Sequence, residues 1–445
     1  MDDPGATRAA SPPQHVHDSR DASPTAAAPT AAGAAAPAPP GRLSAAFAVA
    51  ALLEGMSVSL ILFFTPLYVR TALGEERVFV LSLIVSVHAL ASFAAANFWG
   101  AVMDRAGRLR PFLVTGVAGH AATLLVLAFL REPRLVPVVV AVGALFSGSL
   151  KTAYLAAATL RRETSRGSAL GQMMLWQSLG WTVASTLAGI VTGRAGDGAL
   201  RAVLAFTALC GLVLIAGARR FVPDERFAER SRRTAGFVSS IREDLVSLYR
   251  SPALATVVLV VLAVFAANWA WMSVMSLILT EELGGARWML GAALAVSALA
   301  GIACFPVAGR WADKHGGKAP FVLSTAAYVA EFLVLALVRD PIVVALVFIV
   351  PLYPFFQVGT GAIVAEHSRR AQRAGGLGIL TGAQSLASGA GAILGGVVAD
   401  GAGFPAVPRV SLAISVVGLA VVLERVLRAR VLTKVDSALS DRQRD

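Results

Sequence analysis

Apolar positions in this chain come in long unbroken runs, not in stripes. Such runs begin near Ser44, Phe79, Phe112, Val136, Gly171 and Ala202. After a polar stretch they resume near Ala253, Met289, Phe321, Ile342, Gly378 and Val410. Each spans about 20 residues, the length one helix needs to cross a bilayer in which no backbone polar group can be left unpaired. Six runs, a gap and six more predict an all-α membrane protein of twelve transmembrane helices. The gap, Arg219 to Ser251, is rich in charge. Within it, Phe237 to Tyr249 alternates apolar and charged residues at helical spacing, which predicts an amphipathic helix on the membrane surface. Residues 1–42 are rich in Ala, Pro, Ser and Thr and contain no apolar core, so they are expected to be a disordered tail. With no cleavable leader in view, the first apolar run is expected to act as its own insertion signal. The expected organisation is a cytoplasmic tail (1–42), a six-helix bundle (43–220), a cytoplasmic linker (221–252), a second six-helix bundle (253–430) and a cytoplasmic tail (431–445).

Composition agrees. The 445 residues are 56% hydrophobic and 15% charged, where a soluble domain carries roughly 25% charged residues. The net charge of +12 is not a nucleic-acid footprint, because the basic residues fall in clusters between apolar runs. Placing the N-terminus in the cytoplasm puts on that side the groups Arg105, Arg108 and Arg110; Arg161, Arg162 and Arg166; Arg219 to Arg250; Arg310, Lys314 and Lys318; Arg369, Arg370 and Arg373; and Arg425 to Arg444. The resulting bias is about threefold over the opposite face, and the reverse orientation would invert it. Both termini are therefore expected in the cytoplasm. Arginine in place of lysine and an alanine-rich tail fit a bacterial inner-membrane protein. Cys210 and Cys304 lie inside apolar runs and read as small hydrophobes. No phosphate-binding loop, clustered metal ligands or catalytic constellation is visible, so no cofactor, no metal and no enzymatic activity are expected.

The two halves repeat. Gly100-Ala-Val-Met-Asp104-Arg105-Ala-Gly107-Arg108-Leu-Arg110 follows the second run. Gly309-Arg-Trp-Ala-Asp313-Lys314-His-Gly316-Gly317-Lys318 follows the eighth, an offset of 209 residues (313−104). Leu170-Gly171 with Gln177-Ser178-Leu179 matches Leu377-Gly378 with Gln384-Ser385-Leu386, offset by 207 (384−177). Two signals at nearly one spacing argue for duplication of a six-helix unit, giving two pseudo-symmetric bundles. In these loops Gly100 is expected to let helices approach closely, and Gly107 and Gly317 to permit tight turns. Asp104 is placed to cap or pair with a neighbouring helix end, such as that of helix eleven. The pattern G-x-x-x-D-R-x-G-R-x-R resembles the loop signature of the major facilitator superfamily, over roughly residues 43–430. The resemblance implies two bundles rocking around a central cavity, lined by helices 1, 2, 4, 5, 7, 8, 10 and 11. It also makes the two loops a cytoplasmic gate of Gly100, Asp104, Arg105, Gly107, Arg108, Gly309, Asp313 and Lys314. Two departures count against a proton-driven drug exporter of that family: no arginine stands early in helix four, near Val139, and Ala184-Ser185 replaces a Gly-Pro pair in helix five, although Gly180 and Gly189 remain.

Ionisable groups inside apolar runs are costly and so are functional candidates. Glu54 in helix one and Lys151 in helix four each lie about ten residues from the flanking end, roughly 15 Å deep in a ~30 Å core. Since the resemblance places these helices side by side, the two are expected to form an ion pair or share a proton and substrate site. His88 in helix two lies near the same layer and is a candidate relay. His120 and Glu331 fall on helices that the resemblance puts outside the cavity, where interhelix hydrogen bonding is expected. Gln177 in helix five, Asn268 and Trp271 in helix seven, Tyr353 and Gln357 in helix ten and Gln384 in helix eleven suit a cavity that binds an organic molecule by stacking and hydrogen bonds. Pro306, Pro351 and Pro354 are expected kinks. The Gly389, Gly391, Gly395 and Gly396 run is spaced for helix packing. The function expected is secondary active transport of a small organic solute by alternating access, proton-coupled and outward. Proton-coupled uptake of a sugar, amino acid or other metabolite is the alternative, and a non-transporting receptor or scaffold the third reading. The expected partners are the solute, protons and lipid, not nucleic acid, with the chain acting as a monomer.

Overall fold

A computed structural model describes residues 45–106, 108–159, 163–221, 252–367 and 373–442. The expected tail at 1–42, the amphipathic helix at Phe237 to Tyr249, and Gly107 lie outside the described residues, as do the side chains of Asp104 and Arg105.

The described residues form twelve helical spans. In the first half they are α1 (Ala45–Thr71), α2 (Val78–Ala106), α3 (Arg110–Phe129), α4 (Val136–Thr159), α5 (Glu163–Ala195) and α6 (Leu200–Phe221). In the second they are α7 (Pro252–Met272), α8 (Arg287–His315), α9 (Lys318–Leu337), α10 (Pro341–Ile349 and Leu352–His367), α11 (Arg373–Ala402) and α12 (Ala406–Arg442). Eleven are long and apolar enough to cross a membrane. The other, α5, is 33 residues long and carries Gln172, Gln177, Thr182 and Ser185 along its length. Starts agree with the apolar runs except at α5 and α11. Both begin earlier, at Glu163 and Arg373, with a polar turn that hydropathy alone does not reveal.

The packing repeats with the chain. In the first half α1 packs on α5 and α6, α2 on α4, and α3 on α4 and α6. In the second α7 packs on α11 and α12, α8 on α10, and α9 on α10 and α12. The halves join through a matching pair of contacts, α5 with α8 and α2 with α11.

Small residues set these approaches. A Cβ at Gly180 would meet the Leu52 carbonyl oxygen at 2.0 Å, and one at Gly55 the Gln177 carbonyl oxygen at 1.9 Å, so α1 and α5 touch backbone to backbone. Gly391 and Gly395 do the same against Ala266 and Ala270 of α7, while Gly389 and Gly396 lie against Leu90 and Ser82 of α2. The glycine run of α11 thus serves two neighbours at once, as its spacing predicts.

Proline acts as expected at α10, which breaks between Ile349 and Leu352 around Pro351. Around Pro306, α8 stays continuous. A π-helical turn interrupts α1 at Leu60–Phe64, and another follows α7 at Ile278–Glu282. At the first, Thr65 Oγ1 donates to the Leu60 carbonyl at 3.0 Å. Ser59 Oγ meets Ser185 Oγ at 2.8 Å just before the first, and Ser273 Oγ donates to the Ala392 carbonyl at 3.4 Å before the second. Ser185 stands where an exporter's proline would be, so the departure in helix five has a structural use: a hydroxyl tying α5 to α1.

Candidate functional site

The two halves meet most firmly at the end of the bundle that carries Arg70, Asp197, Glu281 and Asp400. At the tip of α1, Arg70 Nε lies 3.3 Å from Glu281 Oε2 beyond α7. Between α5 and α6, Asp197 accepts two bonds from Arg287 at the start of α8, Nε to Oδ1 at 3.1 Å and Nη2 to Oδ2 at 2.9 Å. It takes a third from Thr71 Oγ1 at 2.8 Å. At the matching corner, Asp400 of α11 accepts from the backbone amides of Val78 and Phe79, both at 2.8 Å, and so caps α2. A carboxylate at a helix N-terminus is favoured by its free amides and dipole. Deeper in, the approach is closest at two related points: a Cβ at Gly189 would lie 3.0 Å from Gly291 Cα, and one at Gly396 2.1 Å from Ser82 Oγ. These contacts seal one end.

At the other end, among the described residues, no matching seal is made: no substantial packing joins α4 to α10. Gly171, Gly301, Gly309, Gly361 and Gly378 have nothing within 4 Å of a Cβ position. Met174, Leu175, Trp176 and Leu386 are exposed.

Three of the residues expected to bind a solute meet one another on α10 and α11. Gln357 and Gln384 exchange amide hydrogen bonds, Gln384 Nε2 to Gln357 Oε1 at 2.8 Å and Gln357 Nε2 to Gln384 Oε1 at 3.4 Å. Gln357 Nε2 also donates to Tyr353 Oη at 2.8 Å. Tyr353 is 48% exposed and meets Phe305 edge-on, with centroids 6.1 Å apart. The arrangement is an aromatic wall beside a pair of amides that satisfy each other until something else does. Asn268 on α7 and Gln177 on α5 are half-buried. Trp271 differs from expectation: at 1% exposure it is packed in the core of the second half, its Nε1 without a hydrogen-bond partner, and it offers no stacking face.

Glu54 and Lys151 also differ. They lie at one depth, since Leu150 and Glu54 line the same cavity, but they form no ion pair. Glu54 is 4% exposed, and its Oε2 has no hydrogen-bond partner. Lys151 is exposed. The reason is rotation about α1. Gly55 and Met56 are held against α5, which turns Glu54 inward toward α3 and α6, while Lys151 is one residue off the α4 face that packs against them. Lys151 remains within electrostatic reach of Glu54, His88 and His120. His88 is half-buried on α2. Beside Glu54 stands His120 of α3, buried and lining that cavity.

At the loops, the turn glycine is Gly316, with φ of 76°, whereas Gly317 has φ of −64°. The role of Gly317 is proximity: a Cβ there would lie 2.8 Å from Ala362 Cβ, and its amide donates to Glu366 Oε1 at 3.2 Å, tying the loop to α10. Gly100 meets only Thr152 Cγ2, at 3.9 Å, so the expected close approach is not made in this state. Arg108, Asp313 and Lys314 are exposed. The residues of the sealed end are absent from the sequence-based candidates. Their signal was weak: acidic residues at helix ends on the arginine-poor side, repeated as Gly196-Asp197 and Asp400-Gly401.

Among solved structures, the fold resembles a mutant of the nucleoside transporter NupG, with a TM-score of 0.70 and 15% identity, covering 85% of this chain and 98% of that one. It also resembles a bacterial homolog of the human lysosomal transporter Spinster, in an inward-facing and unoccupied conformation, with a TM-score of 0.66 and 12% identity, covering 85% and 95%. The same homolog in an inward-facing and occupied conformation matches with a TM-score of 0.67 and 11% identity over the same shares. A comparison with curated proteins found no match. The family model described as Major Facilitator Superfamily matches residues 47–350 and 257–440. The chain is a multi-pass membrane transporter and belongs to the Major Facilitator Superfamily.

Proposed function

We propose that the chain moves a small organic solute across a bacterial inner membrane by alternating access, coupled to protons and in the outward direction. The observation that supports it best is the asymmetry of the two ends. One is sealed by two-fold related contacts between the halves. The other shows no such seal among the described residues, and Tyr353 is exposed beside the half-buried pair Gln357 and Gln384. With the loops after α2 and α8 in the cytoplasm, as the arginine bias requires, this is a cytoplasm-open state. Opening the far side requires Asp197 to release Arg287 and Asp400 to release α2. The solute held by Gln357 and Gln384 is neutral and carries both a donor and an acceptor, because each amide offers both. Tyr353 and Phe305 add an aromatic wall, which favours a planar or ring-bearing molecule.

Uptake symport is the second reading. Val139 and Ala184-Ser185, where drug exporters of the family carry arginine and Gly-Pro, favour it. A scaffold has no use for a carboxylate buried in the membrane layer, because an ionisable group there is costly. The test is transport by purified protein in liposomes under an imposed pH gradient. The panel spans lipophilic cations, antibiotics, nucleosides, sugars and amino acids, with Glu54→Gln as control. Gradient-driven export of one class, lost in the variant, supports the proposal. Accumulation in the proton-influx direction makes the protein a symporter. Silence across the panel would contradict transport of a small organic solute.

A further inference from the structure

A small cavity lies among α1, α3, α4 and α6, lined by no residue of the second half. Its apolar wall is Ala50, Leu53, Val117, Ala121 and Leu150, and its polar lining is Glu54, Ser57, His120 and Thr207. Its free space suits on the order of one water, which excludes an organic solute. The hydroxyls there have spent their hydrogens. Ser57 Oγ donates to the Leu53 carbonyl at 2.7 Å, and Thr207 Oγ1 to the Val203 carbonyl at 2.9 Å. Both therefore offer only lone pairs to the cavity. Glu54 Oε2, enclosed and without a partner, adds another acceptor if it is a carboxylate. As a carboxylic acid it supplies a donor, beside the one N–H that a neutral His120 carries. One proton thus gives the site a donor from Glu54 and removes a bare charge from an apolar wall.

We propose that this cavity is a proton site in which Glu54 takes up the proton and His120 is the second ionisable group, and that it lies outside the path of the solute. The proposal rests on the proton-coupled reading above and adds where the proton sits. Protonation forms one O–H bond at Oε2, with the proton drawn from water. Other groups face the site from each helix packed around it. From α4 come Lys151 and Tyr154, whose Oη is also buried without a partner. His88 of α2 acts on His120. Helix α6 carries Cys210 beside Gly211, and α5 meets α1 through Gly180 and the Gln177 backbone, with nothing ionisable at that depth. Coupling then runs through α1. Its one face holds the proton with α3 and α6, its other is locked to α5, and α5 carries the contact to α8.

Infrared titration of the detergent-purified full chain tests this without knowing the solute. Glu54 and Glu331 are the two carboxyls well inside the membrane-crossing lengths of the described helices. A carbonyl-stretch band of a buried carboxylic acid is expected to titrate with pH, to vanish in Glu54→Gln and to persist in Glu331→Gln. His120→Gln is expected to move its midpoint by about one pH unit. A band unchanged in Glu54→Gln, or a midpoint unmoved by His120→Gln, overturns the proposal. Gradient-driven transport on the same preparations separates the two claims. A titrating Glu54 band in a protein with no proton-driven transport keeps the site and defeats the coupling reading. Coupling that survives Glu54→Gln defeats the site.

Discussion

The two halves share one scaffold and differ in what they bury. The main helix contacts of the first half have counterparts in the second, down to the hydroxyls Ser59 and Ser273 beside the π-helical turns. Yet the first half holds Glu54, His88, His120 and Lys151 at mid-depth. The second holds Asn268, Tyr353, Gln357 and Gln384, with Glu331 as its one acidic group there. Backbone-to-backbone packing through glycine tolerates little change. The faces between those contacts are free to diverge. The difference teaches that duplication preserved the hinges while the chemistry diverged, with most of the ionisable groups on one side and most of the candidate amides and aromatic rings on the other, Gln177 and Glu331 being the exceptions.

That division breaks most decisively at Glu54. Glu54→Gln is expected to lower gradient-driven transport at least about a hundredfold, the scale on which a lost proton-transfer group acts, with membrane insertion intact. Liposome flux and membrane-fraction immunoblots check both halves of that statement. On the other side, Gln357→Ala and Gln384→Ala are each expected to weaken solute binding about tenfold, the worth of a hydrogen bond of roughly 1.4 kcal/mol. Because the two amides already satisfy each other, the double variant is expected to lose less than the sum of the singles. Equilibrium binding to the purified protein decides it, and strict additivity would mean that the amides do not act as a pair.

Smaller effects sharpen the account of the seal. Arg287→Ala removes a bidentate, half-buried pair and is expected to shift the population toward the state open at the Arg70 end by roughly 1–2 kcal/mol, about 5- to 30-fold. Arg70→Ala removes one, more solvated contact between the halves, with the bonds of Arg70 to the Glu75 and Glu76 carbonyls lying within the first half, and less than about 1 kcal/mol of shift is expected. Spin labels at Leu135 and Arg409, exposed at this end in opposite halves, report the change as a longer distance distribution. Equal effects would mean that burial of Asp197 contributes nothing. Last, Gly396→Ala is expected to disturb the seal more than Gly189→Ala. The new methyl group meets Phe79 Cα at 2.9 Å in the first case and Gly291 Cα at 3.0 Å in the second, and in the first it also meets Ser82 Oγ.

Much of this was legible in the chain. Twelve apolar runs and two offsets near 208 carry the fold, because lipid leaves few other ways to satisfy a backbone. The depth of Glu54 and Lys151 was also readable, since rise per residue is fixed. Their directions were not. A membrane helix is apolar all round, so no stripe announces which way residue 54 turns, and only the glycine contact with α5 settles it. Trp271 illustrates the same limit: an aromatic residue beside the polar Asn268 reads as cavity-facing, yet helix rotation puts it in the core. Asp197 and Asp400 escaped for a different reason. A carboxylate at a helix end looks like ordinary loop charge until the partner helix of the other half is in place. Gly316 and Gly317 are neighbours with opposite duties, one a turn and one a close approach, and sequence does not separate them.

The central claim is that the first half holds the proton and the second the solute. Its most direct test compares two flux modes of Glu54→Gln in liposomes, using whichever panel solute the wild type carries. Exchange of labelled for unlabelled solute needs binding and rocking alone, whereas accumulation against a gradient also needs proton release. The account predicts exchange near the wild-type rate with accumulation abolished. Loss of exchange together with accumulation would place Glu54 in the solute's own path and contradict the division.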